Sequence, residues 1–187
     1  MISAIFKGIG YLVVIVIAAV AVTLIGARFA DGPWAIIAGG PFTSGTPYVG
    51  EEPDWSHLKD RQEVEFQLIS PARSRTTWIV EHDGRIYIPS GYMNTSWGRV
   101  WKQWPLEAEK DGRALLRIDD QLYDRRLVRV KEGEQLPAIV SELNRKYIAQ
   151  LSPEAANLPA DEAIQSGLQQ VADGSLWIFE MAPPEAD

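Results

Sequence analysis

The chain has no cysteine. Disulfide frameworks, thiolate nucleophiles and cysteine-based metal sites are therefore excluded, although any compartment tolerates such a protein. Histidine is nearly as scarce, with two copies, His57 and His82. Neither has an evident carboxylate partner, so a histidine metal centre is not expected. Basic residues are outnumbered, 18 Lys and Arg against 25 Asp and Glu, for a formal charge of −7. Residues 1–30 contain Lys7, Arg28 and no acid, which leaves 16 basic and 25 acidic residues beyond them, a net of −9. So acidic a body argues against nucleic-acid binding and against electrostatic docking on anionic lipid. Catalytic motifs are missing as well: there is no G-x-S-x-G elbow and no P-loop. Ser56-His57-Leu58-Lys59 spells S-x-x-K without the S-D-N and K-T-G that accompany it in that chemistry, so it reads as chance. Glu51-Glu52 and Asp119-Asp120 are neighbours in turns, which rarely gives two acids the distinct environments that acid–base work requires. Asn94-Thr95-Ser96 is a glycosylation sequon, relevant only in a eukaryotic secretory host.

What the chain does have is a long uncharged run, residues 8–27, GIGYLVVIVIAAVAVTLIGA. As a helix at ~1.5 Å per residue it spans about 30 Å, the thickness of the bilayer hydrocarbon core. Tyr11 lies near one end, and Phe29 and Trp34 follow the other, where aromatic residues settle at the interface. A secretory leader needs small residues at −3 and −1. Around Ala27 and Ala30 the −3 positions are Ile25 and Arg28, so an uncleaved anchor is the preferred reading. The amino terminus and Lys7 flank one side and Arg28 the other. That small bias places the N-terminus in the cytoplasm and the body outside it, periplasmic and tethered to the inner membrane in a diderm bacterium.

Residues 31–60 are dense in Gly and Pro and too apolar for a free linker, which predicts an arm packed on the body. Trp34–Ala38 is a candidate short strand, and Asp54 a candidate cap for a helical turn through Trp55 and Leu58. The body, residues 61–182, then reads as strands. Val64, Phe66 and Leu68 alternate with polar residues. Thr76–Glu81 is rich in β-branched and aromatic residues. Asp83-Gly84 signals a hairpin into Arg85–Pro89. A helix capped at Asn94, Thr95 or Ser96 should run to Trp104 and stop at Pro105. Its Trp97, Trp101 and Trp104 fall on one face, suited to stacking on a ligand, leaning on a membrane or, most simply, packing on the sheet. Arg113–Asp119 and Gln121–Val130 follow as strands. Leu136–Leu151 has Ile139, Leu143, Tyr147, Ile148 and Leu151 on one helical face. A second helix over Asp161–Ala172, a strand over Ser175–Met181 and a disordered tail, residues 183–187, complete the pattern. The expected fold is mainly β (α+β): an antiparallel barrel with peripheral helices, preceded by one transmembrane helix.

From about Gln62 to Val130 the chain resembles the split β-barrel of the pyridoxamine-phosphate-oxidase-like and deazaflavin-dependent reductase superfamily. The residues that carry the resemblance are Arg75-Thr76-Thr77 entering a strand, the hairpin Asp83-Gly84-Arg85-Ile86-Tyr87, Ser90, then Ser96 with Arg99 and Lys102, and Trp104-Pro105 at a stop position. It implies FMN or a deazaflavin as cofactor, with Arg75, Thr76, Ser96, Arg99 and Lys102 around its phosphate. It also implies a possible homodimer, because split barrels often pair through their sheet faces. The chain departs from the pattern in two respects: its tryptophan-rich segment is bulkier than a flavin-phosphate loop needs, and it has no glycine-rich cradle. Two functions follow from these readings: a binding or structural module at the cell envelope, or a flavin- or deazaflavin-dependent oxidoreductase. Independently of the resemblance, Arg73, Arg75, Arg99 and Lys102 could gather around an anion, or they could be surface charges paired with nearby acids.

Overall fold

The structure is a computed structural model that describes residues 2–95, 102–151 and 156–184. Helix α1 (Ile2–Ala27) leads into the arm. The body is one antiparallel sheet curled into a half-barrel, with helices against it. Its strands are β2 (Glu63–Leu68), β3 (Arg73–Trp78), β4 (Val80–His82), β5 (Arg85–Ser90), β6 (Arg113–Ile118), β7 (Gln121–Val130) and β8 (Trp177–Ala182). Their order across the sheet is β3-β2-β6-β7-β8-β5-β4. A two-residue strand of the arm, β1 (Thr46–Pro47), pairs in parallel with the start of β7, beyond the stretch of β7 that β8 covers.

That order corrects one sequence expectation. Thr76–Glu81 is not a single strand: it breaks at Ile79 into the end of β3 and the start of β4. These halves lie at opposite ends of the strand order, so one residue carries the chain from one edge of the sheet to the other. An apolar run in a strand is blind to such a break, because Ile79 stays buried throughout.

Hairpins close where short turns demand left-handed backbone. Asp83 and Gly84 (φ 53° and 70°) join β4 to β5, and Asp119 and Asp120 (φ 49° and 63°) join β6 to β7. Both positions positive is the hairpin-type turn that matches strand twist, and Asp tolerates it better than most residues. Strand alternation then builds two cores. Phe66, Leu68, Ile86, Ile88, Leu116 and Phe179 point to the concave side, with Trp55 and Leu58 of the arm and Trp104 among them. Tyr87, Val130 and Ile178 point outward, against Ile139, Val140 and Leu143 of α3 (Leu136–Leu143) and Val171 of α4 (Ala160–Ala172). β5 is therefore buried on both faces, which explains its uninterrupted Ile86-Tyr87-Ile88.

Two helix expectations are also corrected. Pro105 does not stop a helix. It sits in the first turn of α2 (Trp104–Lys110), where its missing N–H leaves nothing unpaired. Of the proposed tryptophan face, Trp104 is buried against Phe66 and Phe179, while Trp97 and Trp101 lie outside the described residues. The helix over Leu136–Leu151 is interrupted by a π turn, Asn144–Ile148. The turn shifts the helical phase, so that Lys146 becomes buried and Leu151 is left 67% exposed. Trp34–Ala38 forms no strand: Trp34 and Ile37 make an isolated bridge around a tight turn. Residues 185–187 of the expected tail lie outside the described residues.

Candidate functional site

The arm is fixed to the sheet by charge. Asp31 accepts from the Thr43 N–H (2.7 Å), from the Ser44 hydroxyl and from Arg117 (3.1 Å). These bonds, the Ser44 hydroxyl first, hold its carboxyl far below the usual range. Arg117 also forks onto Glu65 at 2.9 and 2.7 Å, and its guanidinium lies 4.2 Å from the centre of the Phe42 ring. Further along, Glu52 joins the Trp55 indole N–H (2.8 Å) to the buried Arg125 (2.7 Å). Beside the first cluster is an open hollow of about 700 Å³, lined by Asp31, Glu63, Glu65, Asp119 and Asp120 with Arg61 and Arg117. Asp31 and Glu65 are engaged by Arg117, and Asp119 by Arg61 at 2.9 Å, so the hollow reads as a structural joint.

A second cleft has the opposite charge. It holds about 470 Å³ between the end of α2 and the strands β6 and β7. Five basic side chains line it, Lys110, Arg113, Arg126, Arg129 and Lys131, against two acids, Glu109 and Asp111. In a chain whose residues 31–187 carry a net of −9 this is a local excess of +3. The topology creates it. Arg113 and Arg126 are direct cross-strand partners, an unfavourable like-charge pair in a sheet. The turn after α2, held by the Leu127 N–H donating to the Gly112 carbonyl at 2.7 Å, brings Asp111 beneath them. Asp111 accepts from both Nε and Nη2 of Arg113, at 2.9 and 2.7 Å, which pulls its carboxyl down to about 2. Arg129 is set between Glu109 (2.7 Å) and the Trp177 ring (3.4 Å to its centre). Lys131 reaches the same Glu109 only at 3.9 Å and is 67% exposed. Among the described residues the lining has no hydroxyl, imidazole or thiol. Such a set is suited to pairing with an anion through forked and point charges.

The residues singled out by sequence are placed otherwise. Arg75 points to the concave side, its guanidinium 5.4 Å from the Phe66 ring centre and 5.9 Å from that of Trp104. Its Nη1 is buried without a hydrogen-bond partner among the described residues, and burial brings its pKa down to about 10. Thr76, the next residue on β3, belongs to the opposite face and lines the acidic hollow. Lys102 donates to the Gly91 carbonyl at 3.1 Å and lies over the Tyr92 ring, with desolvation lowering its pKa. Arg73 donates to the Ala38 carbonyl of the arm (3.1 Å). Ser96 and Arg99 lie outside the described residues. Strand alternation puts Arg75 and Thr76 on opposite faces of β3, so these two do not share one phosphate. The cleft escapes a sequence reading because its five basic residues come from α2, β6, β7 and the turn beyond β7. In RRLVRV, alternation takes Arg126 off the core face of Leu127 but leaves Arg129 on it.

No family model matches the chain, and no curated protein does. Among solved structures it is similar to the crystal structure of conserved hypothetical protein Rv2991 from Mycobacterium tuberculosis, at a TM-score of 0.48 and 11% identity, over 78% of this chain and 86% of that one.

Proposed function

We propose that this is a single-pass membrane protein of the cell envelope whose body is a binding module, held outside the cytoplasm at the inner membrane and taking an anionic ligand in the basic cleft. The observation that carries the reading is the apolar helix. Within its segment Phe6–Ala27 an 18-residue stretch has a mean hydropathy of 2.7, and none of that stretch is buried against the body; only Ala27, at the helix end, is covered. A helix apolar on all sides and uncovered by its own protein is in its element in lipid. The split-barrel type is the finer reading of the half-barrel. It is supported by the hairpin at Asp83-Gly84 and by the sequence resemblance. The flavin reading has no comparable support, since Arg75, Thr76 and Lys102 face different surroundings.

A reporter pair fused after Asp187 tests this. One reporter is active only outside the cytoplasm and the other only inside it. External activity that sediments with membranes is the expected result. External activity that is soluble would mean a cleaved leader, and cytoplasmic activity would reverse the orientation; either overturns the proposal.

A further inference from the structure

We infer that the loop after the apolar helix is a second membrane contact, a lipid-inserted foot that sets the body flat on the bilayer surface. The inference rests on the anchor reading above and adds a surface to it. Phe29, Trp34 and Ile36 are 84%, 51% and 89% exposed. Ile36 is displayed at the tip of a tight turn in which Ala35 takes a left-handed φ of 50°, a conformation that alanine disfavours.

The loop begins where the helix ends and cannot swing away from it. A Cβ at Gly39 would collide with the Gly32 carbonyl, and one at Gly40 with the carbonyl oxygens of Arg28 and Ala30. The loop therefore closes at its own neck, against the last turn of the chain leaving the helix. The same two glycines bond to the sheet: the Gly39 N–H donates to the Ser74 carbonyl at 3.0 Å, and the Ser74 hydroxyl donates to the Gly40 carbonyl at 2.6 Å. Helix, loop and β3 form one joint. From its neck the tip reaches at most about 14 Å, four residues at full extension. An apolar tip so close to the end of a spanning helix meets the headgroup layer.

Within the loop the polar groups comply, while Pro33 and Ala35 at its side border the acidic hollow of Glu63, Asp119 and Asp120. Trp34 and Ile37 pair their backbones in both directions, at 3.0 and 2.9 Å, as lipid contact demands. The one ionisable residue from Phe29 to Ala38 is Asp31, and its carboxylate is bound to Thr43 and Ser44 of the arm and to Arg117 of the body. Lipid in general, rather than an anionic headgroup, is the partner that fits.

Because the chain lacks cysteine, single-cysteine labelling tests this directly. The full chain is reconstituted in zwitterionic vesicles as Ile36→Cys, Val14→Cys or Leu151→Cys, each carrying an environment-sensitive fluorophore. The expected result is an Ile36 probe quenched by lipids spin-labelled near the headgroup and quenched by aqueous iodide several-fold less than the Leu151 probe. An Ile36 probe as open to iodide as the Leu151 probe, with the Val14 probe shielded in the bilayer, overturns the foot and leaves the anchor standing. A Val14 probe in water overturns both.

Discussion

The Lys146 ammonium lies 2.7 Å from the carbonyl oxygen of Ile79, the single residue between the two edges of the half-barrel. At that crossover neither backbone group of Ile79 can join a ladder, and both are satisfied from the π turn. The Tyr147 hydroxyl accepts from the Ile79 N–H at 3.0 Å and lies 2.6 Å from the Gln62 carbonyl. It also lies 2.7 Å from the Ile79 carbonyl, but one hydroxyl proton serves one acceptor at a time, so Lys146 supplies the other donor. Trp78 stacks on the Tyr147 ring, nearly parallel at 4.5 Å. The π turn thus has a purpose: it turns Lys146 inward to clasp the point where the sheet meets itself.

Tyr147→Phe removes a hydroxyl with three backbone contacts and leaves the Ile79 N–H unpaired. Destabilisation by roughly 1–3 kcal/mol is expected in urea unfolding. The pH dependence should change as well. Burial raises the Tyr147 pKa from 10.0 to about 12. The phenol therefore contributes fully below pH 10, and its contribution falls as pH climbs towards about 12, because the unfolded chain ionises first. The variant should lose this alkaline component. Lys146 works in the opposite direction, its pKa lowered chiefly by desolvation, so its contribution increases as pH rises through its titration.

Arg75→Met separates a ligand role from a packing role. The buried Nη1 has no partner among the described residues, and the guanidinium lies over two aromatic rings. Met keeps the apolar contact and removes an incompletely paired buried charge. Thermal stability should be unchanged or higher by about 1 kcal/mol. A large loss of stability would show that the charge itself is needed.

Arg117→Met should loosen the arm. It breaks the pairs to Asp31 and Glu65 while leaving two partly buried carboxylates without their cation. A loss of about 1–3 kcal/mol is expected. Hydrogen exchange should rise first at Thr43 and Ser44, whose N–H groups depend on the position of Asp31. Uniform protection across residues 31–48 would contradict this.

In the basic cleft, inorganic phosphate or pyrophosphate should raise the melting temperature of the detergent-solubilised chain by linkage. Lys110→Ala combined with Lys131→Ala should weaken binding about tenfold, roughly 1.4 kcal/mol. Added salt should weaken it further, because these groups are screened. Arg113→Ala is less informative, since it also releases Asp111.

Much of the strand content was legible because alternation and turn chemistry agreed. Val64-Phe66-Leu68, the Asp83-Gly84 hairpin and the β6–β7 turn all stand where periodicity puts them. The break at Ile79 was hidden because a buried crossover and a buried strand interior look alike in sequence. The role of Lys146 was hidden because a helical wheel assumes 3.6 residues per turn, and the π turn violates that assumption. Pro105 was misread because proline stops a helix from one side and starts it from the other. The cleft depends on cross-strand register, Arg113 beside Arg126, which no local pattern specifies.

The most direct measurement on the whole account is the intact mass of the chain recovered from carbonate-washed membranes of a bacterial host. The account predicts the full 187-residue species of 20.8 kDa in the membrane pellet. A soluble species lacking the residues up to about Ala27, or a full-length species released by carbonate, would contradict it.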